Sequence, residues 1–237
     1  MSKNYAHRGF SARYPENTLL AFQKAIEAKC DGIELDTHLT RDGEIVIIHD
    51  EEVDRTTDGH GFIKDHSYAD LRRLNAGQGE HIPTLDEYFD LVEGLPIVTN
   101  LEMKNSIFRY EGMEEAIIKK ICNRGLEKRI IFSSFNHFSI LKCKKLIPEI
   151  KCGFLIWSWF IDIGAYTKKH GIGYIHPEYN ALTDDAVKEI RNNGIGINAY
   201  TVNRREDMES LAEKDIDGII TNEPELLQEV LQQKNKQ

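Results

Sequence analysis

Residues 32–49 read GIELDTHLTRDGEIVIIH and contain two β-rich runs separated by a short link. The first run covers residues 32–39, the second covers residues 44–49, and residues 40–43, TRDG, connect them. A connection between parallel strands needs a dozen or more residues, whereas a short link ending in Asp-Gly is typical of a β-hairpin. We therefore expect the second run to fold back antiparallel against the first.

On both sides of this hairpin the chain alternates between short β-rich runs and longer runs with helical spacing. In residues 17–29, for example, Leu19, Phe22 and Ile26 share one helical face. Such alternation is typical of βαβ units, and eight units in about 240 residues match the size of a (β/α)₈ barrel. The predicted fold is thus α/β, a (β/α)₈ TIM barrel, with a doubly wound sheet as the alternative. The eight predicted parallel strands begin at Tyr5, Gly32, Ile97, Ile130, Cys152, Tyr174, Ile195 and Gly218.

One segment does not follow this alternation. Residues 50–83 are rich in Asp, Gly and His and come directly after the hairpin. We interpret them as a small insertion after the second strand that covers one mouth of the barrel. Because we find no linker long enough to separate domains, residues 1–237 are predicted to form a single catalytic barrel domain.

The composition limits the class of partner. The formal net charge is −9, which disfavours sequence-independent binding to nucleic acid or anionic lipid. No run approaches the roughly 18 apolar residues that span a bilayer, and the N-terminal residues lack the apolar core of a secretory signal. We expect a cytoplasmic protein without stable membrane insertion, with four scattered, reduced cysteines and a small-molecule substrate. The oligomeric state stays open.

Carboxylates accompany two of the predicted parallel strands. Glu34 and Asp36 are two residues apart and point to the same side of their strand, and Glu102 and Lys104 repeat this spacing on the next one. Barrel enzymes gather such strand ends at one mouth, so the three carboxylates should converge. Two like charges about 4 Å apart repel by roughly 4 kcal/mol at an effective dielectric near 20. Either one carboxylate stays protonated or a cation lies between them, and three oxygen ligands suit Mg²⁺, Ca²⁺ or Mn²⁺.

Basic side chains and histidines end neighbouring runs. Lys104 cannot ligate a metal while it is charged, but a phosphate shared by metal and lysine would explain its position. Arg8 adds a planar set of donors for the same phosphate. His7 ends the first strand and His49 ends the hairpin, so both can reach the mouth. Two histidines beside a metal-bound phosphate can divide proton removal from proton donation.

The order of the polar motifs is similar to that of the glycerophosphodiester phosphodiesterase family, whose fold resembles the phosphatidylinositol-specific phospholipase C barrels. The motifs are dense up to residue 104 and fainter afterwards. They are HRG at 7–9, PENT at 15–18, ELD at 34–36, TRDG at 40–43, HD at 49–50, RTTDG at 55–59 and LEMK at 101–104.

This resemblance implies an enzyme, a phosphoric diester hydrolase that converts a glycerophosphodiester to glycerol 3-phosphate and an alcohol. It implies one divalent metal ion, Mg²⁺ or Ca²⁺ with Mn²⁺ also suitable, on the three carboxylates named above. It gives His7 and His49 the acid–base roles, and it places Arg8 and Lys104 at the phosphate.

The chain departs from the family pattern at two positions. Tyr200 stands where the family often has Trp, and we expect it in the substrate pocket. Asn222 stands where an Asp is common. Trp157, Trp159 and Phe160 follow the fifth strand of the barrel, and they either line the mouth or cover the outer helices.

Three functional alternatives follow from these residues. The first is hydrolysis of small glycerophosphodiesters. The second is a lysophospholipase D, in which the aromatic side chains hold an acyl chain. The third is a silent barrel that binds phosphodiesters without cleaving them, which the intact histidine and carboxylate sets disfavour. Whether a substrate hydroxyl or a water molecule attacks phosphorus is also open, with internal attack favoured.

Overall fold

The computed structural model describes residues 2–234, and its strands form a single sheet. The strands are β1 (Lys3–His7), β2 (Gly32–Leu39), β3 (Ile45–Ile47), β4 (Val98–Met103), β5 (Ile130–Ser134), β6 (Lys151–Ile156), β7 (Tyr174–Pro177), β8 (Gly196–Ala199) and β9 (Gly218–Thr221).

Eight of these strands are parallel and close into a ring, because β1 pairs with β2 on one side and with β9 on the other. The (β/α)₈ barrel is therefore confirmed. The doubly wound alternative is wrong, because such a sheet is open and keeps two free edges. The outer strand β3 lies outside the ring and pairs antiparallel with β2, as the TRDG link predicts.

Helices follow the strands and cover the outside of the barrel. They are α1 (Leu19–Glu27), α2 (Tyr68–Leu71), α3 (Leu85–Leu91), α4 (Met113–Asn123), α5 (His137–Leu146), α6 (Ile163–Lys169), α7 (Asp184–Asn192), α8 (Arg205–Glu213) and α9 (Pro224–Lys234). Among the residues described, no helix combines the length and the apolar character that crossing a bilayer requires.

Helices α1 and α3 differ from the sequence pattern. Helix α1 begins at Leu19 because Thr18 caps it, accepting a hydrogen bond from the backbone N–H of Ala21. Helix α3 was not predicted, although Thr84 and Glu87 form a complete capping box at its start. Its short apolar pattern gives a weak periodic signal, whereas burial of its apolar face against the barrel supplies the stability.

The segment between β3 and α3 has a small core of its own. Val46, Ile48, Val53, Ile63 and Leu71 are buried together in it. This segment contains α2 and a short 3₁₀ turn. The β3 ladder ends at Ile47 opposite Thr37, and the Ile48 backbone N–H still donates to the carbonyl of Asp36, so the chain reaches His49 next to the carboxylate-bearing part of β2.

A buried histidine occupies the barrel interior. The ring nitrogens of His176 on β7 lie 3.5 Å from Asn100 Nδ2 and 3.2 Å from Asn198 Nδ2. Burial lowers the pKa of His176 to about 3. The barrel therefore holds this imidazole in its neutral form throughout the physiological pH range.

We expect His176 to destabilise the barrel progressively as the pH falls below about 6.5, since the unfolded chain then protonates this residue while the native state does not. With a native pKa of about 3, the contribution of His176 to the free energy of unfolding falls by about 2 kcal/mol between pH 7 and pH 5. Urea unfolding of the wild type and of His176→Gln at these two pH values measures it. The variant should lose less stability by this amount, and an equal loss in both proteins would contradict the assignment.

Candidate active site

Three carboxylates meet at the carboxyl ends of two neighbouring strands. Glu34 and Asp36 lie in β2 and Glu102 lies in β4, where Asp36 is in register with Glu102. All three side chains are buried, and each offers an oxygen within 4.8 Å of the other two. The structure thus brings together the three residues that the sequence predicts as metal ligands.

The three carboxylates have different proton affinities. Burial, followed by the charges of Asp36 and Glu102, raises the pKa of Glu34 well above its ordinary value. Burial also raises the pKa of Glu102 to about 7, although Lys104 opposes this effect. Against the raising effect of burial, Arg8 and Lys104 lower the pKa of Asp36. Without a further cation Asp36 therefore stays ionised while Glu34 favours its protonated form, and the proton affinity of Glu102 lies between the two.

The cluster fits one divalent cation. Asp36 Oδ1 is buried without a hydrogen-bond partner, and Lys104 Nζ is 3.8 Å away from it. Buried carboxylates that repel one another are ionised by a cation placed between them. Because every candidate ligand atom is a carboxylate oxygen, the set suits Mg²⁺, Ca²⁺ or Mn²⁺, and it does not select among them.

Arg8 reaches the cluster through a sharp turn after β1. Arg8 and Asn17 both adopt positive φ angles, of 55° and 57°. The Arg8 guanidinium lies 2.9 Å from Glu16 Oε1 and 3.3 Å from Asp36 Oδ2, and the Arg8 backbone N–H donates to Glu34 Oε2. Asn17 Nδ2 donates to Asp36 Oδ2 at 2.9 Å. Arg8 is therefore fixed beside the carboxylates, and its guanidinium lies in the lining of the cavity described below.

His49 and Lys104 are in direct contact at the mouth of the barrel. His49 Nδ1 lies 2.6 Å from Asp50 Oδ1, and because a carboxylate only accepts, Nδ1 is the protonated nitrogen of the neutral ring. The lone pair of His49 Nε2 then accepts a hydrogen bond from Lys104 Nζ at 3.1 Å. Lys104 also lies 3.0 Å from Glu102 Oε1. The Nε2 atom of His49 thus lies beside Lys104, which in turn contacts the carboxylate cluster.

His7 approaches the same place from β1. Its Nδ1 lies 2.6 Å from Asn222 Oδ1, and its Nε2 lies 3.9 Å from Glu34 Oε2. Burial lowers the pKa of His7 to about 4, with the charge of Arg8 acting in the same direction. His7 is thus held as a neutral ring whose Nε2 points to the carboxylates.

A cavity of about 300 Å³ opens above these residues. One wall is polar and includes His7, Arg8, Glu34, His49 and Glu102. The apolar part of its lining, called the apolar wall below, is formed by Phe135, Leu155, Trp157, Tyr200 and Ile220.

Tyr200, which is expected from the sequence in the substrate pocket, is part of the apolar wall of this cavity. Its hydroxyl donates to the carbonyl of Ile156, and its ring meets Phe135 edge to face. Trp157 lines the cavity while its side chain stays largely exposed, and Trp159 and Phe160 are exposed on the same loop. These aromatic residues therefore do not cover the outer helices.

Several residues contact the site without a role predicted from sequence. Asn17 of the PENT motif donates a hydrogen bond to Asp36. Asp50 of the HD motif accepts one from His49. Asn222 pairs with His7 from the end of β9. Their motifs were visible in the sequence, but the contacts join residues from distant elements.

Comparison with known proteins gives the family. The model of the glycerophosphoryl diester phosphodiesterase family matches residues 7–226. A glycerophosphodiester phosphodiesterase from Caldanaerobacter subterraneus subsp. tengcongensis is 42% identical, with 94% of each chain covered.

Solved structures agree with this match. An Oleispira antarctica phosphodiesterase in complex with the product sn-glycerol-3-phosphate is 30% identical, with a TM-score of 0.86 and 96% of each chain covered. A glycerophosphodiester phosphodiesterase from Thermotoga maritima is 32% identical, with a TM-score of 0.83, and the alignment covers 97% of this chain and 99% of that one. The resemblance seen in the motifs is confirmed, as is the prediction of an enzyme: the chain belongs to the glycerophosphodiester phosphodiesterase family.

Proposed function

We propose that the protein hydrolyses small glycerophosphodiesters to glycerol 3-phosphate and an alcohol, with one divalent cation on the three carboxylates and with His7 and His49 as acid and base. The observation that carries this proposal is that both histidines, Arg8, Glu34 and Glu102 line one cavity, and that Asp36 completes the buried carboxylate cluster beside it. The product named in the Oleispira antarctica complex supports glycerol 3-phosphate as the product here.

Each side chain has a role in this scheme. A bound cation would neutralise phosphate charge and acidify a hydroxyl group beside it. Arg8 and Lys104 hold the phosphate oxygens from two sides. The Nε2 atoms of His7 and His49 both point inward, so one can remove a proton from the attacking hydroxyl while the other protonates the leaving alcohol.

The size of the cavity supports a small substrate. At about 300 Å³ it lies at the lower end of ordinary ligand pockets. The apolar wall around Trp157 favours lysophospholipase D activity as a second candidate, because the Trp157 side chain lines the cavity and is also largely exposed to solvent. Tyr200 is part of the same wall and would contact the part of the substrate that lies away from the phosphate.

The proposal extends to the organisation and the setting of the enzyme. Residues 1–237 would act as one catalytic domain, and residues 50–83 would cover the His49 side of the mouth. The net charge of −9 supports a small-molecule substrate rather than nucleic acid. The free cysteines Cys30, Cys122, Cys143 and Cys152 support a cytoplasmic, reducing location.

Choline release from two substrates tests the proposal. We expect kcat/KM to be about tenfold or more higher for glycerophosphocholine than for lysophosphatidylcholine, because the cavity is too small for an acyl chain to enter without rearrangement. From glycerophosphocholine, glycerol 3-phosphate must appear together with choline. A preference for the lysophospholipid would favour the second candidate, and no choline from either substrate would contradict both enzymatic proposals.

A pair of tryptophan variants controls the comparison. Trp157→Ala should change the ratio between the two substrates, because Trp157 lines the cavity. Trp159→Ala is the matched control, since Trp159 is a similarly exposed tryptophan on the same loop and does not line this cavity.

A further inference from the structure

Arg55 in the RTTDG motif joins two carboxylates from different parts of the chain. Its Nε and Nη2 lie 2.6 Å and 3.1 Å from the two carboxylate oxygens of Asp50. Its Nη1 and Nη2 lie 3.0 Å and 2.7 Å from the two oxygens of Glu16. One guanidinium therefore makes two bidentate contacts, which is the geometry that gives charged hydrogen bonds their directionality.

Each of these carboxylates in turn holds a residue of the site. Asp50 Oδ1 lies 2.6 Å from His49 Nδ1. Glu16 Oε1 lies 2.9 Å from Arg8 Nη1. Five side chains thus form one continuous hydrogen-bonded chain, which connects His49 to Arg8 through Arg55.

We propose that Arg55 is a positioning residue, which orients the His49 ring through Asp50 and the Arg8 guanidinium through Glu16. This inference rests on the proposed function, in which His49 transfers a proton and Arg8 binds phosphate. Arg55 itself is not among the residues that line the catalytic cavity.

The His49 arm of this chain should carry most of the effect. Asp50 accepts a hydrogen bond from His49 Nδ1, and Arg55 holds the Asp50 carboxylate in place. Without Arg55, the Asp50 side chain would keep, among the residues that the structure describes, only its hydrogen bond to His49. Arg8 keeps a second anchor, because its Nε lies 3.3 Å from the buried carboxylate of Asp36. Loss of Arg55 should therefore disturb the orientation of His49 more than that of Arg8.

The same contacts should matter less for the stability of the fold than for activity. The Arg55 side chain is 48% exposed, so solvent weakens its ion pairs, although their bidentate geometry lets them contribute more to the free energy of unfolding than isolated surface pairs do. Activity is more sensitive, since a displacement of about 1 Å at a reacting group can lower a rate by about 100-fold. Arg55→Ala should thus separate the loss of activity from the loss of stability.

The first experiment compares Arg55→Ala with Arg72→Ala. Arg72 also belongs to the segment between β3 and α3, is 45% exposed, and bonds to Tyr68 and Glu87 away from the cavity. We expect Arg55→Ala to lower kcat by about 100-fold with a melting temperature that falls no more than that of Arg72→Ala, whereas Arg72→Ala keeps its kcat. A rise in KM with an unchanged kcat would show that the effect runs through substrate binding and not through His49, and would overturn the proposed orientation of His49 by Arg55.

Rescue separates positioning from a general structural effect. Because Arg55 is half exposed, free guanidinium ion can reach the vacated place, and millimolar guanidinium should restore part of the activity of Arg55→Ala. Arg55→Lys should restore little, since one ammonium cannot make the paired contacts to both carboxylates. Equal rescue of Arg72→Ala or of the wild type, or none of Arg55→Ala, would count against the proposal.

A double-mutant cycle tests whether Arg55 acts through His49. In a His49→Ala background, Arg55→Ala should cost less than about threefold, because the group that it orients is gone. The same 100-fold loss in both backgrounds would show that Arg55 acts elsewhere. If His49→Ala alone keeps full activity, the proposed catalytic role of His49 fails. If instead His49→Ala is inactive and Arg55→Ala is fully active, the role of His49 stands and the positioning role of Arg55 fails.

Discussion

Removal of divalent cations is expected to abolish hydrolysis, and addition of Mg²⁺, Mn²⁺ or Ca²⁺ to restore it. Glu34, Asp36 and Glu102 are buried with ligand oxygens within 4.8 Å of one another, and they cannot all be ionised without a cation between them. Without the cation, burial and mutual repulsion keep the pKa of Glu34 well above its ordinary value. Chelated protein should therefore be both inactive and partly protonated in this cluster.

The measurement is glycerol 3-phosphate release after treatment with a chelator and after return of each metal. Full turnover by exhaustively metal-stripped protein would contradict metal dependence. Binding of the cation can be followed separately, because a ligand that binds the native state raises the melting temperature.

Glu34→Gln provides a direct test of the ligand set. This variant should lose the cation-dependent rise in melting temperature together with the activity. Glu114→Gln is the matched control, because Glu114 is also buried but bonds to Ser139 and Lys142 outside the cluster. The control should keep both the thermal response and the turnover, and a loss of the response in both variants would point to a general effect of removing a buried carboxylate.

His49→Ala and His7→Ala are each expected to lower kcat by about 10²- to 10⁴-fold, the usual loss when one general acid or base is removed. Both rings present Nε2 to the cavity, because Nδ1 of each is paired with Asp50 or Asn222. Steady-state assays with glycerophosphocholine measure the loss, and circular dichroism checks that the fold is retained.

A second histidine–aspartate pair in the same segment controls for the loss of such a pair. His60 Nδ1 lies 2.9 Å from Asp54 Oδ1, and His60 is exposed and does not line the catalytic cavity. His60→Ala should therefore keep its activity. A loss below about threefold in His7→Ala or His49→Ala would assign that histidine a structural role instead of a catalytic one.

The number and kind of structural units could be predicted from the sequence. Each strand and most helices carry a local apolar pattern, and the TRDG link is short enough to require a hairpin. Helix α3 could not be predicted from its apolar pattern, because it is short and is stabilised mainly by packing. The two-residue spacing of Glu34 and Asp36 likewise shows, without a structure, that both point to the same side.

The partners of these residues were decided by the tertiary structure. Asp36 lies opposite Glu102 only because the register of β2 and β4 places them together, and this register depends on ladder hydrogen bonds and core packing along both strands. The contacts from His7 to Asn222 and from Arg55 to Glu16 likewise join residues far apart in the chain.

The same distinction explains the protonation of the carboxylates. From the sequence, one of the paired carboxylates must stay protonated or share a cation, but their spacing treats Glu34 and Asp36 alike. The structure makes them unequal, because Arg8 and Lys104 lie close to Asp36 and lower its pKa, while burial and the neighbouring acids raise that of Glu34. Local pattern therefore determines the fold and the chemical types at the mouth, whereas distances between elements determine which carboxylate carries the charge.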